Sequence, residues 1–207
     1  MACDFKLAGN ISPNCDNPMI KGLENEAYLI NYDDIDFDSC TFDATRKNLL
    51  KTLVLKTGTK GYMVKQIRDS FTGTASTAVV GTFRTNWDNS LAFKWFDADA
   101  DVNESVINLA NGKFVAVVEN AFKNTAKATT PGDSVFQVYG FDAGLRLATG
   151  VRDVFNADLN GGWDFLLTES GSPRPALYWF NTSLATTRAA FNAIGTASNG
   201  IGTAVGG

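Results

Sequence analysis

Asp33, Asp34, Asp36 and Asp38 fall within six residues. Carboxylates at that spacing can hold a divalent cation or divide general acid and base roles between them. A second acidic run, from Asp97 through Asp99 and Asp101 to Glu104, opens like a calcium loop. In that loop the sixth position is glycine and the twelfth a bidentate glutamate, but here they are Val102 and Asn108. The run reads better as the start of a helix. Histidine is absent from all 207 residues. The commonest general base and metal ligand is therefore missing, and Ser-His-Asp and Cys-His mechanisms are closed to this chain. The three cysteines, Cys3, Cys15 and Cys40, are one short of a four-thiolate zinc site. They are expected to be reduced thiols, with a Cys3–Cys15 bridge as the alternative in an oxidising setting. No phosphate-binding Gly-Lys-Ser/Thr loop and no G-x-S-x-G elbow occurs. The expectation is no enzyme, no cofactor and no metal.

The elements around these residues point to a mainly β chain. Hydrophobic residues make up 44%, enough for a core, while charged residues are 19%, below the usual quarter. A net charge of −4 gives no basic footprint for nucleic acid. A period of two runs through Val135, Gln137 and Tyr139, and apolar residues recur at every second position in Trp163, Phe165 and Leu167. Gly144 and Asn160-Gly161-Gly162 punctuate them, which is the pattern of consecutive antiparallel strands. Further strands are expected at 27–31, across the acidic run 33–43, at 78–84, 90–96 and 113–120, and at 176–180. Residues 49–56 and 62–67 read as the two arms of a hairpin. Residues 69–77 form a loop or a long β-excursion. Val102, Val106, Leu109 and Ala110 share a helical stripe, with Asp101 and Glu104 as its cap and Gly112 as its end. Ser183 caps a second, weaker helix ending near Gly195.

The expected organisation is an N-terminal arm (1–24), a β-sandwich or partly open barrel with one flanking α-helix (25–182), and a weak helix with a Gly-rich C-terminal tail (183–207). Residues 1–17 lack the basic start and apolar run of a secretory signal.

Val138-Tyr139-Gly140, Gly144-Leu145, then Gly161-Gly162-Trp163-Asp164-Phe165-Leu166-Leu167-Thr168 and Pro175 give a pattern that resembles tail tube and related virion proteins of tailed bacteriophages. The opening MACDFKLAGNISPNC, followed by IKGLENEAYLINYDDID, also resembles virion proteins from phages of gut bacteria. The resemblance covers most of the chain loosely and rests on strand and turn signals. It implies a structural protein of the virion, assembled in the host cytoplasm. Its partners would be copies of itself in stacked rings, other virion proteins, and DNA that passes without sticking during genome ejection. The Gly-rich tail and second helix depart from the family pattern, so a head-to-tail connector or collar ring stands beside the tail tube role.

On that view Asp34, Asp36 and Asp38 are candidates to line the channel, where an acidic wall keeps DNA moving. Phe5, Leu7, Phe71, Phe122, Trp95 and Trp179 are the candidate subunit contacts. The rival reading is a carbohydrate-binding fibre or adhesin sandwich, with Trp95 and Trp179 as sugar platforms.

Overall fold

Tyr28 and Ile30 sink into one apolar cluster while their neighbours Ala27 and Leu29 sink into another. Successive side chains of a strand point to opposite faces, so this strand, β1 (Leu23–Asn31), belongs to a sheet covered on both sides. The computed structural model describes residue 11 and residues 17–66, 71–127 and 130–197. After β1 come β2 (Thr41–Phe42), β3 (Leu49–Thr52), β4 (Tyr62–Lys65), β5 (Phe71–Val80) and β6 (Thr85–Trp95). Helix α1 (Ala100–Asn111) leads to β7 (Phe114–Asn120), β8 (Phe136–Tyr139), β9 (Arg146–Arg152), β10 (Trp163–Ser172), β11 (Leu177–Trp179) and helix α2 (Leu184–Ala193).

The strands form two sheets. The larger has seven strands in the order β2-β3-β11-β8-β7-β1-β4, and the smaller has four in the order β5-β6-β10-β9. Ala27, Leu29, Ala116 and Val118 of the large sheet meet Leu91, Phe93, Phe165 and Leu167 of the small one. The opposite face of the large sheet is covered by Phe191 and Ile194 at the C-terminal helix, together with Ile35 and Leu55. The fold is thus β-sandwich-like, with α1 packed against β9 at one side. Val102 and Leu109 are the buried residues of α1, while Ala110, expected on the same stripe, is exposed.

Several expectations give way to the structure. Residues 49–56 and 62–67 are not a hairpin. β3 pairs in parallel with β11, and β4 pairs with β1 near the other end of the same sheet. Between them Leu53 and Leu55 pack into the α2-side cluster, so the chain crosses that face instead of turning back. The acidic run is not an alternating strand either. Residues 32–34 make a 3₁₀ turn, and Asp36 accepts bonds from the Ser39 amide (3.3 Å) and hydroxyl (2.7 Å). Short carboxylate side chains offer the backbone such local turns in competition with a ladder. β8 lies between β7 and β11, and both its faces are covered, with Phe136 and Val138 in one cluster and Tyr139 in the other. β8 is therefore no hairpin partner of β9, which pairs with β10 in the other sheet.

The excursion reading of 69–77 is the one found, as β5 runs through it from Phe71 and forms a hairpin with β6. The cap of α1 is Asp99, whose carboxylate accepts from the Val102 amide at 2.8 Å, not Asp101. Ser183 caps α2 as expected, in a reciprocal pair of bonds with Thr186. Asn160 and Gly161 both take positive φ, 47° and 76°, the conformation that an Asn-Gly turn favours.

Candidate functional site

The small sheet carries the features that most need a function. Leu91, Phe93, Phe165 and Leu167 point inward, so the residues between them point away from the core. That outer face pairs Lys94 with Asp164, Ala92 with Leu166 and Ser90 with Thr168. It is a surface of small, hydroxyl and charge-matched side chains. Both edges of this sheet lack a strand partner among the described residues. β5, reading FTGTASTAVV, holds no charge and no proline over ten residues. Edge strands of free-standing proteins usually carry such blocking residues, because an open row of N–H and C=O groups recruits other strands.

Inside the sheet lies a chain of buried polar groups. The Ala176 amide donates to Ser76 Oγ (3.1 Å), and Ser76 Oγ donates to Asn89 Oδ1 (2.7 Å). Asn89 Nδ2 then donates to Glu169 Oε2 (2.7 Å), and Glu169 Oε1 accepts from the Ala143 amide at 2.5 Å and the Gly144 amide at 3.3 Å. Nearby, Arg174 clasps Asp142 through two bonds of 2.9 and 2.8 Å. The partners named here belong to the protein's own frame, so the cluster ties segments together. The same holds for Glu119. Burial pushes its carboxyl up, but the Arg188 fork and the Lys123 ammonium outweigh that and hold it below the usual carboxylate range. Asp133 behaves likewise under Lys127, Thr130 and Arg46. Among the described residues no group of three or more Cys, Asp or Glu could hold a metal ion.

The expected site residues scatter. Asp34, Asp36 and Asp38 do not share a strand face. Their turn lies on the α2 side of the large sheet, since Ile35 and Phe37 pack into that cluster, away from the small sheet. Trp179 is only 2% exposed and packs edge-on to Phe136 at 6.1 Å. It is a core residue, not a subunit contact, and presents no face to a sugar. Trp95 is half-buried beside the cluster between the sheets. Phe5 and Leu7 lie outside the described residues. Phe71 and Phe122 do come together, across a cleft of about 550 Å³ also lined by Met19, Leu23 and Tyr178. The Ser134 hydroxyl at this cleft is buried without a hydrogen-bond partner.

Sequence reasoning missed Phe83 and Phe155, which stand almost wholly exposed at loop tips. The available signal was a bulky aromatic inside Gly81-Thr82-Phe83-Arg84 and Asp153-Val154-Phe155-Asn156, where turn chemistry calls for small or polar residues. Among the described residues no helix is long and apolar enough to cross a membrane. Comparison with family models, with curated proteins and with solved structures found no match to this chain.

Proposed function

We propose that this chain is a structural subunit of a tailed-bacteriophage virion, a tail tube protein that assembles into stacked rings around a DNA channel. The observation that carries the reading is the small sheet, whose edge strands β5 and β9 have no strand partner among the described residues. All its neighbours are antiparallel, and it has an even number of strands. β9 of one copy can therefore meet β5 of the next with the alternation of strand direction unbroken. A head-to-tail contact of this kind closes into a ring when its rotation allows, and closure removes both edges of the small sheet.

In such a ring the outer face of the small sheet forms the wall. Its charges, the half-buried Asp88, Asp164 and Lys94 and the exposed Arg146, balance. With no excess of positive charge, that wall lacks the cationic footprint that holds DNA phosphates. The turn holding Asp34, Asp36 and Asp38 then lies outside the wall. The chain does no chemistry on this reading, in keeping with a sequence free of histidine. The resemblance in the C-terminal strands supplies the phage context.

The test is assembly. Purified protein should form rings in negative stain and sediment as oligomers when concentrated. Replacing Ala75 and Thr77 by lysine places on β5 the charges that edge strands normally carry. That double variant should stay folded and monomeric. Wild-type protein that remains monomeric at millimolar concentration would refute the proposal.

A further inference from the structure

The small sheet ends in two projecting tips, one at each end of its strands. At one end the β5–β6 hairpin closes through Gly81 and Arg84, whose amide and carbonyl bond at 3.1 Å, and Phe83 stands at the apex. Val80, at 82% exposure, and the half-exposed Val79 lie beneath it. At the other end the β9–β10 loop projects Val154 and Phe155, with Phe96 alongside. The register sets the two tips apart. β6 pairs with β5 at its Thr85 end and meets Trp163, where β10 leaves the loop, at its Trp95 end. Eleven strand residues separate them, roughly 35 Å.

Neither tip is a slack loop. Phe155 is held outward by an Asx turn in which its amide donates to Asp153 Oδ1 at 3.0 Å. Leu159 anchors the same loop in the interior. The charges differ in sign. Arg84 is the charged residue of the first tip, and its guanidinium has no ion-pair partner among the described residues. The second end carries Asp97, Asp153 and Asp158, all exposed, while Arg152 is drawn back onto the Gly161 carbonyl at 3.0 Å.

We infer that these tips are the two halves of one contact between copies of this chain: the Phe83–Arg84 tip of one copy docks on the acidic Val154–Phe155 end of the next. Each half presents an exposed aromatic ring with apolar neighbours, Val79 and Val80 at one and Val154 and Phe96 at the other, and the charges at the rims are complementary, which sets orientation and disfavours like-to-like docking. Because the halves lie at opposite ends of the strands, the contact is heterologous and propagates along the strand direction. A single pair of tips buries less than a stable dimer needs, so the contact holds when a ring makes many at once. The inference rests on the ring reading above, to which it adds the stacking contact.

The experiment compares wild type with Phe83→Ser, Phe155→Ser, Arg84→Glu, Asp158→Arg and the Arg84→Glu/Asp158→Arg pair, by negative stain and sedimentation velocity. Each single variant should form rings whose stacks are at least tenfold shorter, and the charge-swapped pair should recover stacking. Phe83→Ser rings mixed with Phe155→Ser rings should form pairs of rings and go no further. Stacks of normal length in the single variants, or no recovery in the charge swap, overturn the contact while leaving the ring intact. Wild-type protein that never leaves the monomer removes both.

Discussion

Asn89 and Glu169 stand directly opposite each other on β6 and β10, and the asparagine amide donates to the glutamate at 2.7 Å in the interior between the two sheets. Each is only 2% exposed. The glutamate's other oxygen reaches the turn after β8, in the large sheet, so one side chain links the two layers. Backbone amides and the asparagine supply the donors that this buried carboxyl group needs.

Glu169→Ala should therefore cost about 3 kcal/mol or more, since it takes the acceptor from the Ala143 and Gly144 amides and leaves Asn89 Nδ2 with the Arg174 carbonyl at 3.4 Å. Glu169→Gln keeps an acceptor for the turn and should cost about 1 kcal/mol. Urea midpoints at constant m-value read both. An alanine variant within about 0.5 kcal/mol of wild type would show that the link contributes nothing to stability.

Acid should loosen the end of β7 against α2. Glu119 is deprotonated more easily in the fold than when unfolded, where its pKa is about 4.3. A carboxylate with a depressed folded value stabilises the protein fully above the unfolded value and loses that contribution as pH falls through the folded one. Asp133 acts in the same direction, from an unfolded value near 3.9. Thermal midpoints should stay level near neutrality and fall below about pH 4.5. Arg188→Ala, which removes the fork from Glu119, should lower the plateau and flatten that fall. An unchanged acid slope in this variant would contradict the assignment.

These two buried carboxylates also show what could be read in advance. Trp163, Phe165 and Leu167 announced β10 because one face of that strand is core, and a buried face imposes period two. Lys113 to Asn120 announced a strand by composition. Periodicity names strands but not their partners. Residues 49–56 and 62–67 therefore read as one hairpin, although β3 and β4 within them pair with β11 and β1. The acidic run failed for another reason, since six residues of alternation are outweighed by side-chain bonds such as Asn31 to Asp34 at 2.9 Å. Of the candidate contacts, Phe71 and Phe122 converge on one cleft while Trp179 is core. An aromatic in a strand carries no mark of which face is shared with solvent.

Cys40 should react slowly with thiol reagents. Burial, with a smaller contribution from Asp36, raises its thiol above the ordinary value, against the Val54 amide that donates to Sγ at 3.4 Å. The thiolate is the reactive form, so little is present at pH 7. Alkylation followed by peptide mass spectrometry should show Cys40 modified well after the thiols of the denatured chain. Labelling at the denatured rate under native conditions would overturn this.

Gly61 is fixed by crowding, not by backbone angle. Its amide donates to the Ile194 carbonyl at 2.8 Å, and a Cβ placed there would lie 2.4 Å from Ile194 Cγ2 and 3.0 Å from Ile30 Cγ1. This contact seats the end of α2 on the chain that crosses the sheet face. Gly61→Ala should cost about 1–3 kcal/mol through overpacking. Ile194→Ala should cost about 2–4 kcal/mol by opening a cavity at a buried site. The double variant should then be more stable than the sum of the single losses, by about 1 kcal/mol or more, because the new methyl group enters the space the isoleucine vacated. Chemical denaturation of the four proteins measures the cycle. Strict additivity would mean that Gly61 owes its place to something other than Ile194.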